Sequence, residues 1–583
     1  MERWSRSGVA FLIVAVLASG CYLNALGGSF VSDDHRGIVN NPKLREPDSL
    51  YEFFATTLGH KVTFGGFYRP ITRLTYWIDL QLFGPNPFGF HLENLLWHTA
   101  TALLVLVLLR GLWPEEPLMA LMGASLFAVH PVHTEAVAWV SGRSAVLAAF
   151  WGLLAFLAHL RADRGKSKAS LWRIAALAAW LAALGSKEIA AILPILLLMT
   201  DALLGRPSGW WRPGRLATRY GLYAVAGVAY VALRLSVVGR LYPQEMSTAF
   251  QGAPLSVRGP TMLKVGAAYV GRLLLPVNMN ADWSPPFARG LTDGPLPLLA
   301  LAFLIALLWL AWAVRRTAPP VSWGILWSGL ALLPASNLLP FGEIGAERYL
   351  YFSSLGACVA LAWVMTRGMR PYKEASPQAP IPMAGALGCA VLILFAANTI
   401  DRNRDWSDSL VLWEKTVRPS PGSQRARVNL LGALWGKGRY AEAEPLFKRA
   451  LQIREQTLGP DHPHVASSLN DLAISYLSRG QYAQAEPLFK RALEIWEQTL
   501  GPDHHHVASG LKNLAGLYLI EGNYAKAESL HKRALGIREK ALGSDHPDLA
   551  WSLDNLAAIY QEMGRGDEAK KLLARAKRIR ASQ

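Results

Sequence analysis

Cysteine is scarce in this chain. Three occur in 583 residues, Cys21, Cys358 and Cys389, each inside an apolar stretch. That excludes a disulfide framework and any CxxC metal or redox motif. Charge is scarce too. Asp, Glu, Lys and Arg make up 17% of the chain, against about 25% in an ordinary soluble domain. A single soluble globule is therefore excluded, and the 52% hydrophobic content excludes a disordered chain. The scarcity is uneven. Residues 1–400 hold 32 Lys/Arg and 20 Asp/Glu, whereas the much shorter stretch 401–583 holds 27 and 22. The first part has the composition of a membrane protein and the second that of a soluble domain. The net charge of +17 lies mostly beside apolar runs, so it reads as membrane-topology charge. The expected partner is a lipid bilayer, not nucleic acid.

About 20 apolar residues cross a bilayer as a helix. Twelve candidate stretches lie near 8–27, 89–109, 117–129, 144–160, 170–186, 188–204, 217–236, 261–276, 294–314, 321–340, 349–366 and 381–399. Arg3 and Arg6 put the N-terminus in the cytoplasm. The clusters Arg161/Arg164/Lys166/Lys168, Arg206/Arg212/Arg215/Arg219, Arg315/Arg316 and Arg367/Arg370/Lys373 should lie there too. They all do so only if 261–276 does not cross. That segment carries Lys264 and Arg272 on one helical face, a pattern that favours the interface. The reading is eleven spans, with 261–276 interfacial or re-entrant and the C-terminal part outside the cytoplasm. Ala18-Ser19-Gly20-Cys21 after an apolar run resembles a lipoprotein signal, and whether Cys21 is a lipidated cleavage site stays open.

The soluble part repeats every 42 residues. The run Tyr440–Leu451 returns at Tyr482–Leu493 and Tyr524–Leu535, and Gly459-Pro460-Asp461-His462 returns at Gly501 and Gly543. Each unit reads as helix, Gly-x-Tyr turn, helix, Gly-Pro-Asp-His loop. Helical repeats stack because one unit cannot bury its own apolar face. The pattern resembles tetratricopeptide repeats (TPR) of the longer, kinesin-light-chain-like type, which bind extended peptides. Trp406–Pro421 resembles an incomplete leading unit. His462, His504 and His546 recur with the period before a helix, so they read as turn and cap residues rather than metal ligands.

On the eleven-span map the remaining polar motifs share the outer face. They are Asp33-Asp34-His35-Arg36, Tyr68-Arg69-Pro70, His130-Pro131-Val132-His133-Thr134-Glu135, Trp139-Val140-Ser141-Gly142-Arg143, Ser186-Lys187-Glu188, Asp282-Trp283 and Glu347-Arg348-Tyr349. Ionisable residues at membrane depth are costly and mark function, so one composite site at the outer interface is expected. Each motif also has a plainer role. The Asp pair could cap a helix, and the Lys187/Glu188 and Glu347/Arg348 pairs could be snorkelling side chains. His130 and His133 with Glu135 have metal-ligand chemistry, but Pro131 breaks the helical spacing such a pair needs. A divalent metal is possible and not indicated.

SDDHRGIVNNP, YRPITRLTYWIDLQLFGPNPFGFHLENLLWHTATALL, HPVHTEAVAWVSGR, SKEIAAILP and NLLPFGEIGAERYLYFSSLG together resemble the transmembrane and TPR-repeat-containing (TMTC) family across nearly the whole chain. That family is similar to protein O-mannosyltransferases of GT-C architecture. The resemblance implies an all-α fold: a polytopic membrane bundle of about eleven spans over 1–400, with 28–88 as first outer loop. A connector and partial repeat over 401–425 and a TPR α-solenoid over 426–583 follow. It also implies a glycosyltransferase that takes a sugar, mannose by family default, from a polyprenyl-phosphate donor and transfers it to Ser or Thr of envelope or secretory proteins gathered by the TPRs. The Asp pair would then be the catalytic acidic motif, with Asp34 placed before Asp33 as base. Arg348, Lys187, Arg143 and Arg69 would hold the donor phosphate, with Lys264 and Arg272 on the interfacial helix. His130, His133, Glu135, Glu188, Glu347 and Tyr349 would shape the substrate pocket, and an apolar groove between spans would take the isoprenoid tail. The 42-residue repeats depart from the 34-residue units usual in the family. With the basic, lipoprotein-like start they suggest a bacterial inner membrane and an undecaprenyl-linked donor. Two other readings compete: a non-catalytic membrane scaffold whose TPRs gather proteins, and a GT-C transferase acting on lipid or glycan.

Overall fold

The structure is a computed structural model. It describes residues 2–581 apart from 46, 48–50, 56–66, 165–167, 205–212, 239–253, 284–287, 289, 338–343, 368–382, 421–422, 545 and 547–548. Of the basic topology residues, Lys166, Arg206, Arg212, Arg370 and Lys373 lie outside the described residues. Every regular element described is helical. The chain divides into two compact units, Met1–Ser423 and Gln424–Gln583.

In the first unit, helices of nine residues or more are α1 (Glu2–Gly20), α2 (Pro70–Phe83), α3 (Pro87–Leu112), α4 (Pro117–Ala128), α5 (Arg143–Arg164), α6 (Ala169–Ser186) and α7 (Leu193–Leu203). They continue with α8 (Pro213–Val238), α9 (Leu255–Leu274), α10 (Leu296–Val314), α11 (Pro319–Leu332), α12 (Leu350–Arg367), α13 (Met383–Asn403) and α14 (Ser409–Val417). Eight stretches among the described residues are long and apolar enough to cross a membrane, fewer than the eleven full spans expected. The shortfall is α4, α7 and α11, with 12, 11 and 14 helical residues. At 1.5 Å per residue these are about 16–21 Å long. α4 is enclosed from Met119 to Ala128, save Leu121, so its surroundings are protein. A hydropathy window sees an apolar run and not which helix lies inside the bundle. By contrast α8 and α10 present Val225, Val228, Leu299 and Trp309 outward, each more than 60% exposed, as helices facing lipid do.

The core joins α1, α3, α4, α5 and α12. Trp323 and Trp327 of α11 stack at 4.6 Å, fully buried, and each indole N–H has an acceptor: Thr200 Oγ1 at 2.8 Å and Phe352 O at 3.0 Å. Where α11 crosses α12, Gly324 faces Gly356. A Cβ on either would lie 2.2–2.3 Å from the other's carbonyl oxygen, so only glycine permits this approach. Both ends of α9 are tied to the connection between α11 and α12. Arg258 donates to Asn337 O at 3.4 Å, and Tyr269 Oη accepts the Ala346 N–H at 3.0 Å. α9 thus begins and finishes at the same end of those two helices.

The second unit pairs α15 (Gln424–Gly436) with α16 (Tyr440–Leu458), α17 (Pro463–Ser478) with α18 (Tyr482–Leu500), α19 (His505–Ile520) with α20 (Tyr524–Leu542), and α21 (Leu549–Glu562) with α22 (Gly566–Ala581). Gly438, 459, 480, 501, 522, 543 and 564 all have positive φ, between 70° and 90°. A glycine thus falls every 21 residues, one at each turn, where an L side chain would be strained. His462 and His504 cap α17 and α19: each Nδ1 accepts a backbone N–H two residues on, at 3.1 and 3.2 Å. Trp406 and α14, which resemble a leading repeat, pack in the first unit.

Candidate active site

The acidic pair is split by its backbone. Ser32 adopts φ 53°, and the chain turns so that Asp33 is exposed while Asp34 is fully buried. Both Asp34 oxygens accept hydrogen bonds: Oδ2 from Val31 N at 3.0 Å, Oδ1 from Ser141 N at 2.9 Å and Ser141 Oγ at 2.5 Å. Burial pushes the Asp34 carboxyl up to about 7; the bonds from Ser141 and Val31 oppose that, and neighbouring Asp33 adds to it. Asp34 therefore pins the loop after α1 to the Trp139–Arg143 segment.

Trp139 is the next link. Its Nε1 donates to Val31 O at 3.3 Å, and Arg348 lies 5.5 Å from its ring. Arg348 pairs with buried Glu135 and also donates its backbone N–H to Glu135 Oε2 at 2.7 Å. Across the site Arg69 grips Glu188 with two bonds, Nη2–Oε1 at 2.7 Å and Nε–Oε2 at 3.2 Å. Burial would raise Glu188, but Arg69 outweighs it and holds the carboxyl at about 2. Between the two arginines sits Lys187, 3% exposed, with Nζ 5.6 Å from the Tyr349 ring. Its ammonium has no hydrogen-bonded partner among the described residues. Burial, then Arg69 and Arg348, bring it down to about 7 against the pull of Glu188 and Glu135. Buried Arg234 adds a fourth cation beside Glu188, so positive groups outnumber the two carboxylates here. Desolvated and unpartnered, Lys187 is poised to receive an anion.

Two apolar spaces adjoin this cluster. A narrow cleft reaches Arg348 and Tyr349 between Ala149, Gly152, Leu193 and Phe352. A larger groove of about 1050 Å³ runs between α9, α10 and α11, walled by residues such as Leu263, Gly266, Leu304 and Ile325. Its lining includes Tyr269 and Leu273, which are bonded to Ala346 and His130.

The other residues singled out in the sequence divide into two groups. Glu347 joins the site margin: it pairs with Arg402 at 3.2 Å and accepts the Asn280 N–H. Arg272 stacks on Trp283 at 4.0 Å beside that carboxylate. Lys264 is half-buried on α9. Arg143 stands apart from the Lys187 cluster. It is fully enclosed and engages Asp79 at 2.6 Å, Glu93 at 2.7 Å, Asn94 Oδ1 at 2.6 Å and Phe90 O at 2.9 Å. With every direction taken, it braces the loop and has nothing left for a phosphate. His130 donates to Leu273 O at 3.1 Å, and His133 meets Ser354 Oγ at 2.7 Å. No group of three or more His, Cys, Asp or Glu among the described residues is arranged to hold a metal.

Sequence reasoning passed over Asn94 and His98. Asn94 donates to Val137 O and Trp139 O at 3.1 and 3.0 Å, and His98 bonds Tyr351 Oη at 2.8 Å and Ala128 O at 3.0 Å. Their signal was present: two polar side chains, with Glu93, inside an apolar span.

Comparison with known proteins bears on the repeats and on the chain as a whole. The tetratricopeptide repeat family model matches residues 424–498, 473–540 and 506–582. The Caenorhabditis elegans protein O-mannosyl-transferase F38B6.6 is 26% identical over 466 residues, covering 78% of this chain and 64% of the relative. The chain resembles the TMTC protein O-mannosyl-transferases. Mouse protein O-mannosyl-transferase TMTC4 is 27% identical over 494 residues, covering 75% of this chain and 66% of that protein. The solved structure of BtubC (BKLC) from P. vanneervenii is 25% identical and covers 38% of this chain and 89% of that one, with a TM-score of 0.28. The chain spans less than two thirds of the length of these two relatives.

Proposed function

We propose that this chain is a membrane glycosyltransferase. It takes a sugar, mannose by analogy with the TMTC relatives, from a polyprenyl-phosphate donor and places it on Ser or Thr hydroxyls of envelope proteins recruited by the TPR unit. The carrying observation is the unpartnered Lys187 ammonium between two paired arginines, beside apolar spaces. A polyprenyl-phosphate sugar is a phosphodiester with one negative charge and a long apolar tail. An excess of positive groups and a groove of about 1050 Å³ suit those two features. Charge grows on the phosphate as the glycosidic bond breaks, so cations fixed in a dry site stabilise the transition state more than the ground state.

The acceptor hydroxyl must lose its proton as it attacks the anomeric carbon. Asp33 is the base in this reading, because it is exposed whereas Asp34 is enclosed by three donors. Asp34 positions the loop. A single attacking hydroxyl with one base inverts the configuration at the sugar carbon. The active site and the TPR unit face the periplasm of a bacterial inner membrane, with the N-terminus in the cytoplasm; a reporter fused after Gln583 should be active only outside the cytoplasm.

The test is transfer of radiolabelled mannose from undecaprenyl-phosphate mannose in vesicles to a Ser/Thr-rich peptide by the full-length protein. Asp33→Asn should reduce kcat by about 10²-fold or more, and Lys187→Met should weaken donor use with peptide binding intact. Wild-type transfer by both variants would sink the assignment.

A further inference from the structure

The connector after the last apolar helix is more than a tether. Within eight residues, Arg402–Ser409, from the last turn of α13 to the first residue of α14, the chain touches the Ser29–Ser32 segment, Trp139 and Glu347. Arg402 pairs with Glu347 at 3.2 Å, next to Arg348. Trp406, 3% exposed, stacks on Trp139 with centroids 5.7 Å apart and planes at 23°, and Trp139 is the ring that carries Arg348. Ser407 O accepts both the N–H and the hydroxyl of Ser29, each at 2.9 Å. Ser409 Oγ accepts the Ser32 N–H at 3.2 Å.

That last bond lies at the residue that separates the two acids. Ser32 is not glycine, yet it sits at φ 53°, a conformation that persists only where surroundings impose it. Release of Ser32 toward ordinary backbone angles would rotate Asp33 away from its outward direction. The connector is itself anchored: Asp405 pairs with Arg402 at 2.6 Å and with Lys415, and Asn403 donates to Cys21 O at 2.8 Å.

We propose that Arg402–Ser409 is a positioning clamp for the active-site loops. It fixes the Ser32 turn, and so Asp33, relative to the Trp139–Arg348 stack. The clamp residues touch no substrate; they act through Asp33 and Trp139, and the inference rests on the glycosyltransferase reading above.

The experiment uses full-length protein in vesicles with undecaprenyl-phosphate mannose and the Ser/Thr-rich peptide. Ser409→Ala removes the acceptor for Ser32 and should lower kcat about tenfold with both KM values unchanged. Ser409→Thr keeps the oxygen and should restore kcat. Trp406→Ala should likewise lower kcat, and Trp406→Phe, which keeps a stacking ring, should recover most of it. Wild-type kcat in Ser409→Ala and Trp406→Ala, with Asp33→Asn inactive, would overturn the clamp and leave the site reading standing. A Ser409→Ala loss that Ser409→Thr does not repair would overturn it too. Full activity in Asp33→Asn would instead sink the site reading, and the clamp with it.

Discussion

The two units use the same charged residues to opposite ends. In Met1–Ser423 the ion pairs that hold the site's loops are interior. Arg143–Asp79 has side chains 0% and 2% exposed, Arg348–Glu135 12% and 1%, and Arg402–Glu347 10% and 3%. In Gln424–Gln583 the pairs Arg439–Glu442 and Lys490–Glu486, one helical turn apart, lie on the surface with the cation 41% and 57% exposed. A buried pair is costly to break because the survivor is left charged in a low dielectric. A surface pair is worth little. The membrane unit therefore uses charge to fix loop geometry, and the solenoid uses it for solubility while Ala, Leu and Trp packing between helices holds the stack.

That contrast predicts a ranking of effects. Arg143→Met strands Asp79 and Glu93 and should destabilise the first unit by about 3–5 kcal/mol. Thermal unfolding in detergent should show that transition moving while the solenoid transition stays; equal shifts would break the comparison.

Next comes Asp34. Its folded carboxyl lies near 7 against 3.8 for the free group, so the folded state holds the proton more tightly than the unfolded one. Stability from this group is greatest below the unfolded value, falls as pH rises through the interval, and levels off above about 7. Asp34→Asn should flatten that slope in unfolding midpoints measured from pH 5 to 8; an unchanged slope would reassign the burial.

In the solenoid the largest single-residue effect should be backbone strain. Gly501 has φ 89° and ψ 155°, a region nearly closed to other residues, so Gly501→Ala should cost about 1–3 kcal/mol. Chemical denaturation of the full chain, with a probe in the second unit, measures it.

Smallest of all, Lys490→Ala should shift stability within about 0.5 kcal/mol. A shift as large as that of Arg143→Met would erase the distinction between the units.

How far the sequence could be read follows the same division. The repeat turns were visible because glycine and histidine recur at fixed spacing, and local backbone chemistry needs nothing beyond the repeat. The cluster of Arg69, Glu135, Lys187, Glu188 and Arg348 was reachable from the sequence, since its four motifs are expected on one face. The pairings inside that face were not. Arg143 and Arg348 are both arginines in loop motifs, and only the tertiary structure distinguishes one saturated by Asp79, Glu93 and Asn94 from the other beside Lys187. Asp33 and Asp34 are neighbours of one type, and a single positive φ decides which of them meets solvent.

The sequence by itself determined composition and periodicity: an apolar helical unit and a 42-residue solenoid. These depend on short-range order and on where charge sits along the chain. The tertiary structure alone decided that α4, α7 and α11 lie short of a full span, that Arg143 is a brace, and that Arg402–Ser409 folds back onto Ser29, Ser32, Trp139 and Glu347. Those outcomes depend on contacts between residues hundreds of positions apart, where packing and desolvation select the partner and no local pattern records the choice.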